Sequence, residues 1–131
     1  MGYQSKYYNI KTKTVDGTVF DSYKEARRYT QLLLLQKAGA ITDLQRQVAF
    51  ELIPAQYESY ERYSKTGKRL KDGQRLLERK CEYYADFVYT DAETGETVVE
   101  DVKSEATKTP EFVIKKKLML SVHGIKVRLI E

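Results

Sequence analysis

The stretch Tyr83-Tyr84-Ala85-Asp86-Phe87-Val88-Tyr89-Thr90, Asp91-Ala92-Glu93-Thr94-Gly95-Glu96, Thr97-Val98-Val99-Glu100-Asp101-Val102-Lys103 decides how the rest of the chain is read. Two runs rich in aromatic and β-branched residues flank a polar link carrying Gly95, the pattern of a β-hairpin. Asp86 interrupts the first run; Asp101 and Lys103 interrupt the second. Alternation along a strand puts Asp101 and Lys103 on one face, roughly 6.5–7 Å apart, and Val98, Glu100 and Val102 on the other. Charge within strands otherwise suited to burial is costly unless it is paired. A divalent metal held by Asp86 and Asp101, with Lys103 beside it, supplies the pairing. Glu100 faces away from that group and is expected to be far less sensitive to substitution.

Working outward, the 131 residues suffice for one domain with one core. No segment approaches the run of about 18 apolar residues that spans a bilayer. The amino terminus carries no apolar signal region, so a cytoplasmic protein without a membrane partner is expected. The single Cys81 excludes an internal disulfide and a cysteine-rich zinc site. Net charge is +4 with a pI near 9.0, and 11 tyrosines accompany 23 lysines and arginines. That combination suits a polyanionic partner, although charge alone is equally compatible with a basic domain that has none.

In chain order, residues 1–19 begin with a basic tail and continue into a short hairpin turning at Asp16-Gly17. Ser22 to Gly39 is the clearest helix, with Ser22 as N-cap and Ala26, Tyr29 and Leu33 at helical spacing. Glu25 stands three residues after the cap. It completes a capping box or serves as a catalytic carboxylate at the edge of the buried stripe, and the two roles are compatible. Ile41 to Ile53 is expected to be the first strand of the main sheet, ended by Pro54, with Gln47 inside it as a candidate contact to a scissile phosphate.

Residues 55–80 are expected to be the least regular part: a basic, tyrosine-rich insertion forming a helical face, an irregular loop or a solvated extension of a hairpin. Lys65, Lys68, Arg69, Lys71 and Arg75 alternate there with tyrosines, which suits contact with DNA. Thr109-Pro110 then opens a second helix, with Ile114, Leu118, Met119 and Val122 expected as its apolar arc and Gly124 as its end. Lys115 and Lys116 are candidate DNA-backbone contacts, and His123 is read as structural at the helix end. Ile125 to Ile130 is expected to be a final strand.

The resulting order is a helix with Glu25, a strand, a strand with Asp86, a strand with Asp101 and Lys103, a helix and a strand. It resembles the PD-(D/E)XK nuclease superfamily, whose core is αβββαβ. Asp86 matches the first motif aspartate, Asp101-Val102-Lys103 the second motif, and Glu25 the helix acid; Ala85 stands where the pattern has proline. A likeness covering nearly the whole chain is carried by Val15-Asp-Gly-Thr-Val-Phe-Asp-Ser, Lys24-Glu-Ala-Arg-Arg-Tyr, Leu35-Gln-Lys-Ala-Gly, Tyr84-Ala-Asp-Phe-Val-Tyr and Val99-Glu-Asp-Val-Lys. These resemble a small phage and prophage family of proteins without an assigned function (DUF1064), which is placed among those nucleases and looks similar to phage Holliday-junction resolvases. Lys24-Glu-Ala-Arg-Arg-Tyr also looks like the nuclease subunit of Tn7-type transposases.

The resemblance implies an α/β, restriction-endonuclease-like αβββαβ core, its mixed central sheet flanked by helices. It further implies a metal-dependent endonuclease for branched DNA such as Holliday junctions, acting as a homodimer. The chemistry can also be argued from the residues. Hard carboxylate oxygens suit Mg²⁺ or Mn²⁺, and phosphodiester hydrolysis needs an activated water and a stabilised developing charge. Asp86 and Asp101 are assigned as ligands, with the Val102 carbonyl as a third. Glu25 is assigned to a second metal or to orienting water. Lys103 orients or deprotonates the attacking water, or stabilises the phosphorane. A non-catalytic DNA-binding accessory protein on the same fold, or a transposase-type end-cleaving subunit, are the alternative expectations.

Overall fold

The structure, a computed structural model, describes residues 11–14, 16–20, 22–104 and 107–131. The basic tail at 1–10 lies outside the described residues. Strands β1 (Thr12–Lys13) and β2 (Val19–Phe20) pair antiparallel, as the Asp16-Gly17 turn predicts. Helix α1 (Tyr23–Lys37) starts at Ser22, whose hydroxyl accepts from the Glu25 amide at 3.4 Å. It stops before Gly39, which takes the left-handed conformation (φ 82°) that a side chain disfavours.

Next come β3 (Ile41–Ile53), β4 (Gln56–Tyr63), β5 (Arg69–Glu78), β6 (Cys81–Asp91) and β7 (Thr97–Val102). Helix α2 (Pro110–His123) and β8 (Arg128–Ile130) complete the chain. The main sheet has the order β3-β6-β7-β8, antiparallel except for β8, which runs parallel to β7. Among the described residues it is a mixed α/β fold with a mostly antiparallel sheet and two helices.

The helices cover opposite faces. Val99 packs with Phe112 and Met119 of α2, whereas its strand neighbour Val98 packs with the cluster containing Ala26 and Leu32 of α1. A regular strand would point Tyr83, Ala85, Phe87 and Tyr89 to one face. Here Tyr83 and Ala85 belong to the α2-side core, and Phe87 and Tyr89 to the α1-side core. The side chains therefore change faces at Asp86. The paired strand changes with them, because Leu44 lies on the α1 side and Phe50 and Leu52 on the α2 side. Between these lies Gln47, in a positive-φ conformation (50°) uncommon for a residue with a side chain.

Two expectations are corrected. Residues 55–80 are not irregular: β4 and β5 form an antiparallel hairpin separate from the main sheet. Alternating tyrosine and charge along two strands satisfies the backbone by cross-strand pairing even where no core is available. The apolar arc of α2 is also different. Phe112 and Met119 are buried, while Ile114 and Val122 face outward. Lys115 and Lys116 lie half-buried on the inner side, where long aliphatic stems can cover apolar surface while the charged ends reach water.

Candidate active site

The site forms where β6 and β7 part. Their ladder runs from Thr90↔Thr97 to Phe87↔Glu100, and beyond it the Asp86 side chain takes over the bridging. Asp86 Oδ2 accepts from the Val102 amide at 2.8 Å, and Oδ1 accepts from the Gln47 side-chain amide at 3.2 Å. The face change thus turns a carboxylate into the space between strands, held by one backbone and one side-chain donor.

Asp101 is 2% exposed. The Tyr83 hydroxyl donates to its Oδ2, while its Oδ1 is buried without a hydrogen bond among the described residues. Lys103 Nζ lies 3.2 Å from that Oδ1, close enough for an ion pair but not aligned as a hydrogen bond. The ammonium also sits 4.6 Å from the centroid of the Phe112 ring, an orientation favoured by the ring quadrupole. Asp101 and Lys103 therefore share a side, as strand alternation requires.

The groups interact strongly. Burial, then the charge of Asp101, then that of Glu25 push the Asp86 carboxyl up to about 7, against the bond from the Val102 amide and the charge of Lys103. Burial and Asp101 hold the Tyr83 phenol protonated, far above the ordinary range. Glu25 is thus within electrostatic reach of Asp86, as the sequence requires. Among the described residues, however, no three carboxylate, imidazole or thiol groups converge into a ready-made metal cluster. Asp86 and Asp101 suit an ion such as Mg²⁺, which binds through one or two carboxylates and keeps its remaining positions for water and phosphate. The bare Oδ1 of Asp101 fits such a ligand.

The Asp86 shift has a consequence for the metal-free protein. The unfolded carboxyl releases its proton near pH 4 and the folded one near 7, so the folded state holds more protons between these values. Stability must fall as pH rises through that window. Asp86→Asn is expected to raise Tm above pH 7 by several degrees relative to wild type and to lose that advantage near pH 4. The Gln47 amide can turn its oxygen toward the new side chain. Thermal unfolding in chelator at pH 4 and pH 8 measures the difference.

Glu100 differs from expectation. It does face away from Asp101, but it is 0% exposed. Arg28 Nε and Nη2 reach its two oxygens at 2.8 and 2.6 Å, and Tyr89 donates to Oε2. Burial and Glu100 push the Tyr89 phenol up to about 12. A carboxylate on the second core is therefore a structural ion pair, not a dispensable neighbour. Neither Arg28 nor Tyr83 and Tyr89 was marked by the sequence, since nothing local pairs positions 72, 18 or 11 residues apart.

The candidate DNA contacts divide. Arg69 pairs with Asp72 at 2.7 Å, Arg75 with Glu58 at 3.0 Å, and Lys115 with Glu111 at 3.0 Å. Lys65, Lys68 and Lys71 make no ion pair among the described residues, and Lys116 lies half-buried along α2. Gln47, expected to touch a phosphate, is bonded to Asp86. His123 Nε2 lies 2.7 Å from the Glu51 carbonyl and ties the end of α2 to β3, in keeping with a structural role.

No helix among the described residues is long and apolar enough to cross a membrane. No curated protein and no solved structure matches the chain. One family model does, described as a protein of unknown function (DUF1064), and it covers residues 4–130. With nearly its whole length matched, the chain belongs to the DUF1064 family.

Proposed function

We propose that the protein is a metal-dependent DNA endonuclease built on a PD-(D/E)XK-type core. The observation that carries this reading is the meeting of Asp86, Asp101 and Lys103 at the parting of β6 and β7, with one buried Asp101 oxygen left without a hydrogen bond among the described residues. The order α1-β3-β6-β7-α2-β8, with β8 parallel to β7, supports it as well.

Asp86 and Asp101 would hold Mg²⁺ or Mn²⁺, with the Val102 carbonyl beside them. When bound, such an ion polarises the phosphate and lowers the pKa of the attacking water. Glu25, on the first turn of α1, orients that water or contributes to a second ion. Lys103 brings a positive charge next to Asp101 and meets the negative charge that develops on the phosphorane. Gln47 and the Val102 amide fix the direction of Asp86. Groups that orient a metal ligand are typically worth 10–100-fold in activity. Gln47→Ala is accordingly expected to lower kcat by about that factor while leaving DNA affinity within a few-fold, as single-turnover cleavage and anisotropy titration would read.

Branched DNA is the proposed substrate class, and paired incision across a junction requires two sites, hence a homodimer. Incubation with Mg²⁺ or Mn²⁺ against four-way, flap, single-stranded and linear duplex DNA tests the reading, with Asp86→Ala in parallel to expose contaminating nuclease. Cleavage of the branched forms that disappears in the variant supports it. Absence of cleavage on every substrate with either ion overturns it.

A further inference from the structure

The β4–β5 hairpin belongs to neither core. Every residue of β4 is exposed, and of β5 only Leu70 and Gly73 are even half-buried. A two-stranded hairpin without a packed face is marginal in water, so its persistence in the chain calls for a partner. Its 8-residue first strand makes it about 26 Å long. Charge is distributed unevenly along it. Near the turn, Glu61 is engaged by the Tyr63 hydroxyl and Asp72 by Arg69. Arg62, Lys65, Lys68 and Lys71 make no ion pair among the described residues. Among the described residues the tip therefore presents four cations without an ion-pair partner against one such carboxylate, Glu61, and keeps a net positive charge.

One of the tyrosines is engaged within the ribbon itself. The Tyr60 ring lies across Gly73, where a Cβ would come within 2.3 Å of it, and Arg75 stands 4.9 Å from its centroid. Arg69 stands 5.7 Å from the Tyr63 centroid. Tyr60 is thereby tied to the ribbon, whereas Tyr57 and Tyr63 stay exposed beside the cations, which are the charged recognition groups.

We propose that this hairpin is a DNA-binding arm whose tip enters the major groove of duplex flanking the cut. The inference deepens the nuclease reading by naming a duplex-binding element apart from the chemistry. The major groove is about 12 Å wide and admits a two-stranded β-ribbon, with phosphates on both rims to meet Arg62, Lys65, Lys68 and Lys71. The arm leaves the sheet beside Cys81, five residues before Asp86, a further 17 Å or so along β6. Its contacts therefore fall within about 13 base pairs of the scissile bond, little more than one helical turn.

The test uses the full chain carrying Asp101→Asn, so that DNA stays intact, with Lys65→Ala/Lys68→Ala or Lys65→Glu/Lys68→Glu added. Both positions are exposed in the turn, so folding should be unaffected; thermal unfolding checks this. Anisotropy titrations with a 30-base-pair duplex and a 30-nucleotide single strand are run across a salt series. The alanine pair should reduce the duplex log–log salt slope by roughly 2, and the glutamate pair should cost at least about tenfold in affinity. Methylation protection of guanine N7, a major-groove atom, should be present with the intact arm and absent in both variants.

Unchanged slope and affinity overturn the proposal. So does an equal loss on single strand and duplex without guanine protection, which would make the arm a single-strand platform. A changed sedimentation coefficient with unchanged DNA affinity also overturns it, assigning the arm to a second copy of the chain. Binding is read without cleavage, so the two readings fail separately. If the metal-dependent cleavage survives Asp101→Asn while the arm variants lose duplex, the catalytic assignment falls and the arm stands.

Discussion

Asp101→Asn is expected to lower metal-dependent DNA cleavage by about 10³-fold or more while changing DNA affinity by no more than a few-fold. The substitution keeps the shape and leaves an oxygen to accept from Tyr83, so the packing of a 2%-exposed side chain is preserved. What it removes is the charge facing Lys103 and the anionic oxygen that a cation would take. The loss should fall on kcat, because the group acts on the reacting phosphate through the ion rather than through contacts along the rest of the DNA. Wild type is expected to gain thermal stability on addition of Mg²⁺ in the absence of DNA, and Asp101→Asn to gain little, since a ligand that binds only the folded state stabilises it. Cleavage retained within tenfold of wild type would remove Asp101 from the chemistry. It would leave a DNA-binding protein as the better description.

The largest effect on stability is expected at the opposite face of the same strand. Glu100→Ala strands the Arg28 guanidinium and the Tyr89 hydroxyl beside a cavity, and removal of one partner from a buried ion pair costs about 3–5 kcal/mol. For a domain of this size that corresponds to a fall in Tm of roughly 10–20 °C. Arg28→Ala should cost at least as much, because the carboxylate left behind is fully buried whereas the Arg28 side chain is 20% exposed. Arg28→Met/Glu100→Leu, which removes both charges, should recover much of the loss. Thermal unfolding of the three variants forms the test. Equal Tm values for Glu100→Ala and wild type would show that the pair contributes nothing. Adjacent residues on β7 are thus expected to fail differently, Asp101 in activity and Glu100 in folding.

The chain's local patterns anticipated much of this. Period-two alternation through Val98–Lys103 correctly separated Asp101 and Lys103 from Glu100. Ser22, Gly39, Thr109, Pro110 and Gly124 marked both helices, because caps and stops act within a few residues and are written in adjacent side chains. The same local logic failed where the deciding contact was distant. It ranked Glu100 as dispensable because Arg28 lies 72 residues away and joins it only when α1 packs on the sheet. On α2 it picked Met119 and Leu118 correctly but added Ile114 and Val122, which look burial-prone, and passed over Phe112, which packing buries.

The face change at Asp86 is the clearest division between the two levels. Residue types alone put acids and a lysine in β-rich runs and ordered the helices and strands around them. They contained no sign that Tyr83 and Phe87 would serve different cores, since alternation assigns both to one. That outcome required two paired strands, one with Gln47 at positive φ, to turn together between two helices. Charge and strand propensity are properties of neighbouring residues. The orientation of a carboxylate in a gap between strands depends on which faces are already filled, and only the packed molecule sets that.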